Sequence, residues 1–192
     1  MKKIGITGGI GSGKSVVCKI FSLLGIPILD ADALAKSLYD TNEDLKKEII
    51  KNFGKDLYPH HLFDKNKMKE IVFNQKEKLE LLNSIIHPIV QIESEKWMQC
   101  QTSKYAIKEA ALLIETGAYK DFDEVILVSS PLDLRIKRVM QRDHITEENV
   151  LKRIHLQMPE EEKKKYATRI IFNDEENMLI PQVMKLHEIF MA

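Results

Sequence analysis

The sequence predicts an α/β fold on a five-stranded parallel sheet, and three observations carry that prediction. A short β-branched run, Lys3–Thr7, leads into a glycine-rich loop and then into apolar residues at helical spacing, Val17, Ile20, Phe21 and Leu24. A second apolar run, Ile26–Asp30, follows at once, and two strands joined through a helix pair in parallel. Three more strand-like runs stand further along, at Tyr105–Glu109, Glu124–Ser130 and Arg169–Asn173, each set off by helical patterns.

The elements read in order as follows. Gly25 closes the first helix, because a glycine tolerates the left-handed backbone that ends one. From Ala31 to Ser103 no convincing strand occurs, and residues 31–103 read as a mostly helical insertion. Within it one helix covers Glu77–Ile86 and another Pro88–Cys100, with Pro88 at the first helical position, where its missing N–H costs nothing. Pro131 opens a helix through "LDLRIKRVMQRD". "TEENVLKRIHLQM" is a helix with Thr146 as N-cap and acids in its first turn. "PEEEKKKYA" is another, its charges a solvated face, and a last helix runs from Glu175 to Phe190. The expected division is a core of residues 1–30, 104–142 and 167–192, the insertion 31–103, and a lid at 143–166.

Composition narrows the function. The chain has 192 residues, enough for one good core, with about 70% of the unfolded surface buried. Lys plus Arg and Asp plus Glu balance at 29 each, which argues against a sequence-independent nucleic-acid binder. Cys18 and Cys100 form no CxxC pair, as suits a reduced compartment. No apolar run approaches ~20 residues, and the glycine loop falls where a signal peptide would have its apolar centre. The expectation is a cytoplasmic protein with no membrane and no nucleic-acid partner, a monomer or small homo-oligomer. The adjacent His60 and His61 read as surface loop, since neighbouring side chains rarely point at one metal.

The loop itself, Gly8-Gly9-Ile10-Gly11-Ser12-Gly13-Lys14-Ser15, fits the phosphate-loop pattern GxxxxGK[ST], with a strand before it and a helix after it. Its glycines let successive N–H groups turn inward as an anion nest at a helix N-terminus. Lys14 reaches the β and γ phosphates of a nucleotide, and the Ser15 hydroxyl is suited to Mg²⁺. Gly8 through Val16 are the expected ATP-binding residues. The dinucleotide fingerprint GxGxxG fails, because Lys14 stands where its last glycine would be.

Three classes use such a loop. A GTPase switch shows DxxG and NKxD, and neither is present; a motor ATPase is usually longer, with Glu109 only a weak stand-in for its strand-end acid. A small-molecule kinase has positive support. "ILDADALAK" puts Asp30 and Asp32 at the carboxyl end of the second strand, where open parallel sheets bind ligands. A carboxylate there orients an acceptor hydroxyl, takes its proton, or holds Mg²⁺ through water; either acid also suits a helix cap. Arg135, Arg138 and Arg142 share a helix face at i, i+3 and i+7, fit to clamp phosphoryl oxygens or to lie as a solvated basic face. Ile136, Val139 and Met140 form the face expected to be buried. The segment after Arg142 suits a lid that keeps water out. Two rivals remain at this point, a nucleoside or nucleotide kinase and a regulatory NTP-binding module.

The motifs taken together resemble the dephospho-coenzyme A kinase family over essentially the whole chain. They are "TGGIGSGKS", "DADALAK", "IIHPIV", "LLIE" followed by "VILV", and "RIKRVMQRD". The resemblance implies transfer of the ATP γ-phosphoryl group to the ribose 3′-hydroxyl of dephospho-CoA, with Mg²⁺. It implies Asp32, Lys14 and Arg142 as catalytic residues, Arg138 and Arg142 on ATP, and Thr7, Asp32, Lys36 and His87 on the acceptor side. Metal is expected on Ser15, and on Asp32 through water. Two departures stand out: Lys36 replaces the usual arginine, which keeps charge but loses the bidentate fork, and Ala111 replaces a common proline.

Overall fold

The computed structural model describes residues 1–73 and 75–192. Their regular elements are β1 (Lys2–Thr7), α1 (Lys14–Leu23), β2 (Ile28–Asp30), α2 (Ala31–Thr41), α3 (Glu43–Phe53), α4 (Lys65–Val72), α5 (Lys76–Gln99), β3 (Tyr105–Glu109), β4 (Glu124–Ser129), α6 (Leu132–Asp143), α7 (Glu147–His155), α8 (Glu160–Lys164), β5 (Arg169–Phe172) and α9 (Leu179–Met191). The chain divides into two compact units, Met1–Asp30 with Cys100–Ala192, and Ala31–Gln99.

In the first unit all five strands run parallel in the order β2-β3-β1-β4-β5. β1 lies at the centre, and alternation along it separates two faces. Ile4 and Ile6 join a core made with Val17 and Phe21 of α1 and Val183, Leu186 and Phe190 of α9. Gly5 faces the other way, where a Cβ would lie 2.5 Å from Leu113 and 3.3 Å from Phe122. Helix α1 ends as expected at Gly25, φ +81°, with Gly25 N–H on Ser22 O and Ile26 N–H on Phe21 O.

Among its described residues the second unit has helices and turns but no strand, with a core of its own. Leu38, Leu45, Ile49, Leu57, Met68, Leu82 and Ile86 are buried together. Here the expected break before Pro88 fails: α5 runs unbroken through it. Proline removes one helical hydrogen bond, but the buried stripe Leu82, Ile86, Ser94 and Met98 repeats at intervals of four or eight on both sides. Burial of that face outweighs the lost bond.

Two further expectations shift. The last helix starts at Leu179 rather than Glu175, because the Asp174 carboxylate accepts from the N–H groups of Glu176 and Asn177 and holds them in a turn. Thr146 stands at the N-cap of α7, but its hydroxyl makes no capping bond.

Candidate functional site: the phosphate loop and its supports

Residues 8–13 join β1 to α1 as a tight turn, with Ser12 N–H bonded to Gly9 O at 3.1 Å. Gly8, Gly11 and Gly13 take positive φ, and Gly13 caps α1 in the left-handed region without a side-chain cap. No acid stands in the first turn of α1, so its N-terminal dipole faces the loop unopposed by a local carboxylate. Lys14 bends back over the loop, its Nζ donating to Gly8 O at 2.9 Å and Gly9 O at 3.4 Å. Ser15 and Val16 are exposed, and the Ser12 Oγ is enclosed without a hydrogen-bond partner among the described residues.

The supports come from far along the chain. Arg135, only 7% exposed, donates from Nε to Ile10 O at 3.0 Å. Its guanidinium fills the space a Gly9 Cβ would need, 2.2 Å away. Gln157 Oε1 accepts from Ile10 N–H at 2.8 Å. Asn173 Nδ2 donates to Ser12 O at 2.8 Å and sits 2.1 Å from where a Gly13 Cβ would be. Alanine at Gly9 or Gly13 would therefore displace a bracing side chain.

A second layer fixes these braces. Glu160 Oε1 accepts from Ser129 Oγ at 2.5 Å, while its Oε2 lies 3.9 Å from Arg135. Burial pulls the Arg135 pKa down and Glu160 opposes that shift. Lys163, 1% exposed, pairs with Glu115 at 2.7 Å and donates to Ala111 O at 3.3 Å. Glu115 also accepts from Met158 N–H at 3.1 Å. A cleft of about 320 Å³ opens beside the loop, lined by Gly9, Leu132, Arg135, Gln157, Glu160 and Lys163 among others.

Two expectations about charge are corrected. The face of α6 that is buried carries Arg135 with Val139, not Met140, which is exposed. Arg135 pays for desolvation with its bond to Ile10 and the nearby Glu160 charge, so it is not part of a solvated basic face. The acid and lysine run after Pro159 is likewise not wholly solvated, because Lys163 turns inward to Glu115.

The remaining candidates lie as follows. Arg138 donates to Ser130 Oγ at 3.0 Å, Asn173 O at 3.2 Å and Glu175 at 3.3 Å. Arg142 keeps 63% of its side chain exposed and pairs with Asp143 at 2.7 Å, a carboxylate shared with Arg153. The hydrogen bond to Asp143 raises the Arg142 pKa, and the same bond lowers that of Asp143. Thr7 is fully buried, and its hydroxyl donates to Ala111 O at 3.2 Å. Asp30 pairs in register with Glu109 at the carboxyl ends of β2 and β3. Cys18, one turn into α1, has its thiol pushed up first by burial and then by Glu109, to which it is hydrogen-bonded. In the helical unit Asp32 and Lys36 lie exposed on α2 at i and i+4, and His87 lies exposed on α5.

Sequence reasoning did not single out Gln157 or Asn173, and it offered Arg135 as a phosphate clamp or a solvated residue rather than as a brace of the loop. The only local signal was the pairing of Arg135 with Val139 at i, i+4 on a helix whose apolar content is low.

A glycine phosphate loop between the central strand of a parallel sheet and a helix, with its lysine folded over it, defines a P-loop nucleotide-binding protein. The family model for dephospho-CoA kinase matches residues 2–178. Dephospho-CoA kinase of Bacteroides fragilis is 36% identical over 185 residues, covering 96% of this chain and 90% of the relative. That of Aquifex aeolicus is 40% identical over 175 residues, covering 90% and 89%. The solved dephospho-CoA kinase of Campylobacter jejuni is 30% identical with a TM-score of 0.72, covering 97% of this chain and 95% of that one. The chain belongs to the dephospho-CoA kinase family.

Proposed function

We propose that the chain transfers the γ-phosphoryl group of ATP to the ribose 3′-hydroxyl of dephospho-CoA. The observation that carries the reading is the loop Gly8–Ser15 with Lys14 folded across it, in a chain whose family match spans residues 2–178. The β and γ phosphates occupy the loop, contacted by its N–H groups and by Lys14. Arg138 and Arg142 serve the ATP side, Arg142 exchanging Asp143 for phosphate oxygens. The Ser15 hydroxyl, exposed at the start of α1, is a hard oxygen donor of the kind Mg²⁺ takes, and Asp32 adds a carboxylate through water. The metal supplies charge neutralisation at the transferring phosphate. Asp32 orients the 3′-hydroxyl and takes its proton. Lys36 and His87 hold the acceptor, and Thr7 contributes from behind by fixing Ala111. Of the expected lid 143–166, the stretch before Gln157 acts as the lid, since residues 157–163 are tied to the sheet unit, and the helical unit receives the acceptor. No helix among the described residues is long and apolar enough to cross a membrane, and a cytoplasmic site of action fits the reduced cysteines.

The test is ADP release from ATP and Mg²⁺, with dephospho-CoA supplied or withheld. Release that depends on dephospho-CoA, with one phosphate added at the 3′ position, is the expected result. Equal slow release in both arms sinks the reading. Lys14→Ala lowers turnover ~10²–10³-fold, the scale of a lost oxyanion donor.

A further inference from the structure

The residue Ile10 is held at both of its backbone groups by side chains from other elements. Its N–H goes to Gln157 Oε1 at 2.8 Å and its carbonyl accepts from Arg135 Nε at 3.0 Å. Ile10 lies between Gly9 and Gly11, the latter at φ +80°. A segment so rich in glycine has many accessible backbone states, and confining it when a nucleotide arrives costs affinity. A loop confined beforehand avoids that cost.

We propose that Gln157 is a positioning residue for nucleotide binding, fixing the phosphate loop through Ile10 N–H opposite the Arg135 bond to Ile10 O. The proposal rests on the kinase reading of the loop and adds a residue to it. Gln157 touches no reacting atom; it acts through the loop backbone. Arg135 forms the other jaw, and its backbone O and guanidinium close the space beside Gly11 and Gly9.

The bond is not needed to hold the Gln157 segment in place. Gln157 N–H is bonded to Ile154 O, Met158 N–H to Glu115, Glu160 to Ser129, and Lys163 to Glu115. With three ties to other elements besides the local bond to Ile154, the segment keeps its place when the Gln157 amide is removed, and only the loop is released. The ties from Met158, Glu160 and Lys163 anchor this stretch to Glu115 and to Ser129 of β4, so the Gln157 bond joins the second half of the expected lid to the phosphate loop.

The experiment compares wild type with Gln157→Met, which keeps length and loses the amide, and with Gln157→Glu, which keeps an acceptor oxygen at the same reach. Three quantities are read: hydrogen exchange of the Ile10 amide by NMR, affinity for ADP with Mg²⁺ by calorimetry, and melting temperature. For Gln157→Met the expected outcome is faster Ile10 exchange, ADP binding weaker by ~5-fold, and an unchanged melting temperature, on the scale of one hydrogen bond. In turnover assays KM for ATP rises by a similar factor while kcat stays within about twofold. Gln157→Glu is expected to restore Ile10 protection. Unchanged ADP affinity in Gln157→Met overturns the proposal, as does a drop in melting temperature with no specific effect on ADP. Unprotected Ile10 in Gln157→Glu overturns it too, and that variant serves if Gln157→Met does not fold. Wild type that fails to bind ADP at all would instead overturn the kinase reading.

Discussion

The two units solve the burial problem differently. Among the described residues, the buried polar and charged side chains are Thr7, Ser12, Ser94, Lys108, Ser129, Ser130, Arg135 and Lys163. All but Ser94 lie in the sheet unit. The helical unit instead buries an aliphatic core with Tyr58 at its edge, and keeps Asp32, Lys36 and His87 exposed. Buried polar groups need partners, and satisfied networks fix geometry more sharply than apolar contacts do. The difference teaches where this molecule needs a fixed backbone. The polarity hidden in the sheet unit lies largely beneath and around the phosphate loop, while the helical unit keeps its candidate site residues on a surface with an apolar packed interior behind them.

The strongest way to break the comparison is to remove the deepest charge. Lys163→Met should leave Glu115 enclosed without its cation and cost about 3–5 kcal/mol of stability, read as a shift in the urea midpoint. Adding Glu115→Gln to that variant should recover part of the loss, because the stranded charge goes with it. A Lys163→Met variant as stable as wild type would mean the sheet unit does not depend on its buried ion pair.

These arrangements also explain what the sequence made legible. The loop Gly8–Ser15 is local: strand, glycines, lysine and helix follow in order, and each constraint acts within a few residues. The sheet was legible for the same reason, since β-branched runs and intervening helices mark parallel strands. The braces were not. Ile10 meets Arg135 and Gln157 across 125 and 147 positions, and Ser12 meets Asn173 across 161. Nothing near Gln157 or Asn173 in the chain marks them. Lys163 was hidden more thoroughly, because it stands within "EEEKKK", where its neighbours Lys164 and Lys165 do make the exposed pairs the pattern suggests. Pro88 misled for the opposite reason: a strong local rule lost to the buried face of α5.

A smaller effect is expected at a helix end of the other unit. The Asn42 side chain accepts from Leu45 N–H at 2.8 Å, capping α3 just where Leu45 enters the aliphatic core. Asn42→Ala should cost about 1 kcal/mol in urea unfolding. Turnover at saturating substrates should stay near wild type, because the cap serves α3, whereas Asp32 and Lys36 stand on α2, His87 stands on α5, and the phosphate loop and its braces lie in the sheet unit. If Asn42→Ala instead lowers turnover as strongly as it lowers stability, the helical unit is no passive scaffold behind its exposed residues.

The smallest expected effect tests the exposed side of the comparison through pH. Although His87 is exposed on α5, partial desolvation of its ring by the residues around it lowers its pKa below the ordinary 6.5. The folded protein therefore resists protonating His87 more than the unfolded chain does. The contribution to stability is complete above about pH 6.5 and is lost as pH falls through the folded pKa, since the unfolded state then binds the extra proton. Stability measured from pH 8 down to pH 5 should fall slightly less steeply in His87→Gln than in wild type, with the two curves parallel above pH 7. An NMR titration placing the His87 pKa at or above 6.5 would remove the basis for this difference. A lowered value would mean that the folded protein disfavours the charged imidazole, as the difference between the two curves requires.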